Sequence, residues 1–337
     1  MTMHTSFIKG LGFYVPENRV TNDDLSKIME TNDAWIQERT GIKERRFAVK
    51  GEDTTTSMGV KAAEKAIERA QIDKQEIDFI IFATLSPDYY FPGPGVLVQR
   101  DLGIGTVGAL DVRNQCSGFV YALSVADQFV RTGMYKNILV IGSELHSHGL
   151  DMTTRGRSVS VIFGDGAGAA VVSRSPYEGR GILSSHLHSE GQHAEELSLI
   201  APGMGKRWVS DIIADNDPDD ISYMPYMNGQ FVFKNAVVRF AEVIHEGLAH
   251  NGLTPEDIDM LIPHQANLRI AQFIQQKFRL SDDQVYNNIM HYGNTTAASI
   301  PIALTEAWEK GRVKEGDLVV LAAFGSGFTW GSVIMRF

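Results

Sequence analysis

The chain has 337 residues, 43% of them hydrophobic, with 31 basic against 41 acidic side chains and a formal net charge of −10. That length can bury a large core, either as two ordinary domains or as one large α/β unit. The acidic balance leaves no dominant basic surface for phosphates and argues against nucleic acid as a partner. One cysteine rules out an intramolecular disulfide and fits a reducing cytosol. No apolar run reaches the ~18 residues of a membrane span and the N-terminus is unlike a signal peptide, so a soluble cytoplasmic protein is expected, with no membrane association.

In chain order, Ser6 to Val15 reads as a first strand ended by Pro16. Thr21 and Thr31 open helices with N-cap chemistry. Thr54 to Ala70 is an amphipathic helix, and Ile77 to Thr84 has the nearly continuous apolar character of a parallel strand covered on both faces. Pro87 to Gly95 is a loop, followed by a short helix. Val107 to Val112 then reads as a buried strand feeding a helix from Ser117, and a strand begins at Asn137.

The second half repeats the first. Residues 70–81 align with 251–262 at an offset of 181, and 138–141 with 318–321 at 180. A period of half the chain argues for two copies of one β-α-β unit packed as a pseudo-symmetric pair.

Cys116 falls at a strand-to-helix junction, where unpaired N–H groups and the helix dipole can lower a thiol pKa from ~8.5 to between ~3.5 and ~7.5. The plain alternative is a small buried hydrophobe. The offset carries Cys116 to Thr296, two residues past Asn294, so the two halves present equivalent junctions. His264 lies at the end of a second-half strand, and ligands of open α/β sheets bind beyond the carboxyl ends of strands. The three form a coherent set: a thiolate can carry an acyl group, while His264 Nε2 and the Asn294 amide donate hydrogen bonds to an oxygen that becomes negative.

Other signals fail. Gly164-Asp-Gly-Ala-Gly is followed by strand rather than helix, so no phosphate cradle forms. Asp215 to Asp220 hints at a calcium loop, but Asp220 stands where Gly is needed and Tyr226 where Glu is needed. His146/His148 and His186/His188 have ligand spacing without a third partner, and no metal is expected.

Several ordered motifs resemble the β-ketoacyl-[acyl carrier protein] synthase III family. They are Thr31-Asn-Asp-Ala-Trp-Ile-Gln-Glu-Arg-Thr-Gly-Ile, Gln115-Cys-Ser-Gly-Phe, Phe163-Gly-Asp-Gly-Ala-Gly-Ala-Ala, Pro263-His-Gln-Ala-Asn-Leu-Arg, Gly293-Asn-Thr-Thr-Ala-Ala-Ser and Phe324-Gly-Ser-Gly-Phe-Thr-Trp-Gly. The resemblance implies an α/β, thiolase-like fold: two pseudo-symmetric β-α-β-α-β halves, residues 1–178 and 179–337, in a layered α-β-α-β-α sandwich. It implies acyl transfer from acyl-CoA to Cys116 and decarboxylative condensation with malonyl-ACP, with no resident cofactor. His264 and Asn294 would hold the enolate, and the N–H groups of Cys116 and Ser326 an oxyanion.

Thr31, Trp35, Arg39, Gly229 and Asn267 resemble CoA and pantetheine contacts. Arg155 fits an Arg-Gly pattern and Arg157 fits the spacing to Phe163. Leu85, Phe91, Met227 and Phe324 resemble acyl-pocket residues, Phe91 being inserted by the partner of a homodimer. Lys234 and Arg269 would dock an acidic acyl carrier protein. One cysteine excludes thiolases that need a second, and Asn294 excludes the branch with two histidines.

Ser326 departs from the Gly or Ala usual in the family. The 191–227 connection is long and the loop from Pro87 unusually aromatic, so a primer longer than acetyl is expected. A condensing enzyme of secondary metabolism or long-chain ketone synthesis stays open, as does a non-condensing acyl-transfer or acyl-binding protein, though simple binding needs none of Cys116, His264 and Asn294.

Overall fold

The structure is a computed structural model that describes residues 4–201 and 221–337. Asp215 to Asp220 and most of the long connection lie outside the described residues. The first sheet holds β1 (Ser6–Tyr14), β2 (Phe79–Ala83), β3 (Gly108–Val112), β4 (Asn137–Glu144) and β5 (Gly166–Arg174), in the order β1-β5-β4-β2-β3. Strands β4, β2 and β3 run parallel, while β5 is antiparallel to its two neighbours.

The second sheet holds β6 (Gly181–Ser189), β7 (Met260–Pro263), β8 (Leu318–Gly325) and β9 (Thr329–Arg336), in the order β7-β8-β9-β6. The two orders correspond strand for strand. The place matching β3 is taken by an isolated parallel bridge from Leu261 to Val285.

Among the described residues, seven helices have eight or more residues: α1 (Asp33–Thr40), α2 (Thr55–Ala70), α3 (Pro94–Leu102), α4 (Gly118–Arg131), α5 (Gly229–His250), α6 (Leu268–Phe278) and α7 (Ser299–Glu309). Helix α2 buries Met58, Ala62, Ala66 and Ala70, a stripe at four-residue spacing, against Ile80, Phe82, Leu139 and Ile141. Its small residues let it approach β1 so closely that a Cβ on Gly10 would lie 2.3 Å from the Ala66 carbonyl oxygen.

Helices α5 and α6 cover the second sheet in the same way, around Phe240, Ile244, Ile274 and Val320. Between the sheets lie α4 and α7. Phe119, Leu123, Ile300 and Leu304 join Ile81, Val140, Leu321 and Val333 in one core. A helix covered on both faces is apolar nearly all round, which is why α7 reads Ser-Ile-Pro-Ile-Ala-Leu. Phe119→Ala would cost about 3–5 kcal/mol here.

One expectation is corrected. Strand β3 exists, but it is the edge of its sheet and largely exposed rather than buried, with Leu110 37% accessible. Among the described residues it pairs with β2 alone, which leaves its outer hydrogen-bonding edge unpaired there.

Both central helices are entered through a 3₁₀ turn, Gln115–Ser117 before α4 and Thr296–Ala298 before α7. Each turn starts on a left-handed residue, Gln115 at φ 45° and Thr296 at φ 48°. For a β-branched residue such as Thr296 that conformation is strained, of order 1–3 kcal/mol. The matched geometry pairs Gln115 with Thr296, so the counterpart of Cys116 is Ala297, one residue later than the sequence offset implies.

Candidate active site

Cys116 sits in the first of these turns, buried, as the free cysteine. The turn packs against the one at Thr296–Ala298, and a Cβ on Gly118 would lie 3.4 Å from that of Ala297. Gly325, at the end of β8, comes closer still: a Cβ there would lie 2.6 Å from Cys116 Cβ and 3.0 Å from Sγ. Burial pushes the thiol pKa up to about 12, and the charge of Glu144 adds to the rise. The N–H groups of Ser326 and of Cys116 itself meet the sulfur and pull the other way. The lowering expected from the helix start is thus overturned by solvent exclusion. Helix α4 begins two residues after Cys116.

His264 follows β7 and is buried. Its backbone N–H donates to the Ala322 carbonyl, which fastens it beside β8. Its Nδ1 and Ser299 Oγ are 2.6 Å apart, while Nε2 is buried with no partner among the described residues. Burial holds its pKa down to about 3, so the imidazole is neutral. A neutral imidazole with that basicity is a hydrogen-bond donor rather than a base.

Asn294 is fixed by its backbone, donating to Ile162 and accepting from Gly164. Its Oδ1 accepts the Thr296 N–H at 2.8 Å, so the group it can present elsewhere is the amide N–H. Arg45 supports this bridge from beneath: fully buried, it donates to the Val161 carbonyl and to Asn22 Oδ1, both at 2.8 Å. The second turn therefore joins the three residues. It begins beside Asn294, packs against the turn of Cys116, and runs into Ser299, which holds His264.

Glu144, His146, Thr296 and Ser299 went unnoticed in the sequence as parts of this site. Glu144, at the end of β4, is fully buried and accepts from the hydroxyls of Thr84 and Ser86 and the N–H groups of Leu85 and Ala297. Burial raises its pKa to about 7, against the pull of those donors. His146 Nε2 lies 2.7 Å from Thr296 Oγ1, and burial keeps it neutral. Ser299 closes the Gly293-Asn-Thr-Thr-Ala-Ala-Ser motif, and that position is the one signal the sequence offers for it.

On α1 the Arg39 guanidinium lies 4.4 Å from the centre of the Trp35 ring, and that of Arg157 lies 5.5 Å away. Arg155 instead pairs with Asp151, four residues back, at 2.6 Å. Thr31 precedes α1, its hydroxyl buried with no partner among the described residues. Asn267 caps α6, accepting from Arg269 N–H, and donates to the Arg39 carbonyl, both at 2.9 Å. Gly229 opens α5 in the open, its nearest neighbour the Met227 methyl.

Leu85 and Met227 are half-buried, and Met227 pairs with Leu197 in a short ribbon. Strand alternation turns Phe324 toward α5, where its ring packs on Phe328 at 4.9 Å. Phe91 is 80% exposed. The Ser326 hydroxyl donates to the Leu197 carbonyl. Lys234 and Arg269 are both exposed, at the adjacent starts of α5 and α6, with Arg269 6.0 Å from the Phe233 ring. Among the described residues no three His, Cys, Asp or Glu side chains group to hold a metal ion. No described helix is long and apolar enough to cross a membrane.

A family model described as 3-oxoacyl-[acyl-carrier-protein] synthase III matches residues 110–191, and its C-terminal counterpart matches 248–337. The beta-ketoacyl-[acyl-carrier-protein] synthase III of Rhodospirillum centenum is 46% identical over 336 residues, 98% of each chain. That of Salmonella typhi is 46% identical over 335 residues, covering 99% of this chain and 100% of its own. The solved 3-oxoacyl-[acyl-carrier-protein] synthase III of Aquifex aeolicus superposes with a TM-score of 0.89 at 43% identity, covering 98% of this chain and 100% of that one.

Proposed function

Since the chain belongs to the 3-oxoacyl-[acyl-carrier-protein] synthase III family, the condensing acyltransferases of fatty acid synthesis, we propose how its residues divide the reaction. Cys116 sulfur attacks the acyl-CoA thioester carbonyl; the tetrahedral oxyanion is held by the N–H groups of Cys116 and Ser326. Collapse breaks the bond to the CoA sulfur, which leaves with the proton of the thiol. Malonyl-ACP then binds and its terminal C–C bond breaks. CO₂ departs, and the electron pair remains as an enolate whose oxygen accepts from His264 Nε2–H and the Asn294 amide. The enolate carbon attacks the acyl-Cys116 carbonyl, the C–S bond breaks to release β-ketoacyl-ACP, and the departing thiolate takes a proton from solvent to restore the thiol. One donor of this kind is worth about 10²- to 10³-fold in rate.

What carries this reading is the contact between two turns: the one bearing the thiol, with two N–H groups at its sulfur, packs on the one that runs from Asn294 to the partner of His264. Both donors are neutral, which suits an oxygen whose charge develops only during reaction. The named side chains supply every step without a resident cofactor.

Trp35 with Arg39 and Arg157 would stack the CoA base, and Lys234 with Arg269 would receive the acidic carrier protein. The open edge of β3 and the exposed Phe91 support a homodimer, and membership of a fatty acid synthesis family supports a cytoplasmic location. Residues 1–178 and 179–337 form the two halves, a division supported by the matching strand orders. The primer is longer than acetyl, a reading supported by the aromatic Pro87 loop and by the bond from Ser326 to the long connection.

Replacing Cys116 by Ala should abolish the acyl adduct in intact-protein mass spectrometry and the CO₂ released from malonyl-ACP. Unchanged condensation would refute the assignment. Acyl-CoAs of graded length test the primer, and labelling by acetyl-CoA alone would sink the longer-chain reading.

A further inference from the structure

Ser299 has one proton to give and two neighbours to satisfy. It opens α7, is 2% exposed, and faces His264 Nδ1 at 2.6 Å and the backbone N–H of Gln265 at 3.3 Å. The Gln265 N–H has no choice of role: it donates, and occupies a lone pair of the hydroxyl. The hydroxyl proton then has Nδ1 as its acceptor, which requires Nδ1 to be the unprotonated nitrogen. The reverse arrangement, Nδ1–H donating to Oγ, gives the oxygen two incoming donors and leaves its own proton unplaced. It also leaves Nε2 as a buried lone pair, a costly outcome where no partner is within reach.

We infer that Ser299 is a positioning residue of the condensation step: through its hydroxyl it fixes His264 in the Nε2–H tautomer, so that the imidazole offers a proton rather than a lone pair to the enolate oxygen. This rests on the reading above that His264 is an enolate donor. Ser299 touches no substrate in this account; it acts through the ring it holds.

Its rigidity comes from the fold. Helix α7 is clamped between the sheets, and the turn before it is fastened by Thr296 to Asn294 and to His146. The two donors are thus oriented from one short segment, Asn294 through the Thr296 N–H and His264 through the Ser299 hydroxyl. Gln265 reinforces the arrangement from behind, donating to the Pro263 carbonyl and accepting from the N–H groups of Asn288 and Ile289.

The test separates the half-reactions. In Ser299→Ala, CO₂ release and condensation should fall about tenfold in kcat, the loss expected for one hydrogen bond. Acylation of Cys116 and the KM for malonyl-ACP should stay at wild-type values. Ser299→Thr, which keeps the hydroxyl, should restore most of the rate. Nitrogen NMR of protein labelled in its histidine rings, with the His264 signals assigned by their loss in His264→Ala, should show Nε2 protonated in the wild type and a tautomer mixture in Ser299→Ala. A proton on Nδ1 in the wild type overturns the inference, and this measurement does not depend on the folding of a Ser299 variant. Full condensation in Ser299→Ala together with lost condensation in His264→Ala overturns it while sparing the role of His264. Full condensation in both variants overturns the two together.

Discussion

Gly325 gives the sharpest test of how the nucleophile is placed. A methyl group there would lie 2.6 Å from Cys116 Cβ, 3.0 Å from Sγ and 3.2 Å from the Cys116 nitrogen, against the 3.4 Å at which ordinary contact begins. About 0.8 Å must therefore be found. The crowded atoms are the base of a short side chain and its own backbone, not the far end of a flexible one. Their turn is pinned by the Ser117–Thr329 hydroxyl contact at 2.7 Å. The sulfur, the two N–H groups around it, or both must move, and a misplacement of roughly 1 Å costs on the order of 10²-fold in rate.

Gly325→Ala should thus slow single-turnover acylation, followed by intact-protein mass spectrometry at saturating acyl-CoA, by about 100-fold. Overpacking should lower stability to urea by about 1–3 kcal/mol. Acyl-CoA affinity should hold, because Trp35, Arg39 and Arg157 belong to other elements. A folded Gly325→Ala protein acylated at the wild-type rate would refute the view that this close approach sets the sulfur.

A thiol pushed to about 12 by burial should be alkylated by iodoacetamide roughly tenfold faster per pH unit from pH 7 to 10, lagging a free thiol by about 10³-fold at pH 7; a plateau below pH 9 contradicts this. Glu144→Gln removes a negative charge that opposes the thiolate, so its thiol pKa should fall and alkylation at pH 8 should quicken. Arg157→Ala should raise the KM for acyl-CoA several-fold, the worth of a cation–π contact, while Arg155→Ala should leave it alone; equal effects would reverse that choice. Leu110→Lys on β3 should shift the protein toward monomer in sedimentation equilibrium, and an unaltered dimer would place the interface elsewhere.

The strands were legible because covered sheets leave a plain mark: Phe79-Ile-Ile-Phe-Ala and Leu318-Val-Val-Leu admit nothing polar. The repeat was legible because both halves spell the same approach to a strand. Candidate residues Cys116, His264 and Asn294 stood out by position at strand ends. What composition could not reveal was solvent exclusion. A thiol at a helix start and a thiol sealed beneath β8 are spelled alike, yet their pKa values shift in opposite directions. The exposure of β3 was hidden too, since Val-Gly-Ala-Leu-Asp-Val is apolar enough for a core.

Asn267 illustrates a different ambiguity. An Asn before an apolar helix is an N-cap by local chemistry, and that is where its side chain is spent. Arg155 was separable from Arg157 in principle, because Asp151 stands four residues before it at helical spacing. Ser299 was invisible because its role depends on a ring 35 positions earlier in the chain.

The twin left-handed residues give the two turns the same shape with different contents. Only the first of the two turns presents a nucleophile; the second holds Ala297 where the first holds Cys116. The same conformation at both turns shows that exposing a thiol is not its only use. It belongs to the way a strand passes through the centre of a doubled fold to become a buried helix. The doubled fold thus supplies two matched sockets: one holds Cys116, and the other anchors Asn294 through the Thr296 N–H and His264 through Ser299.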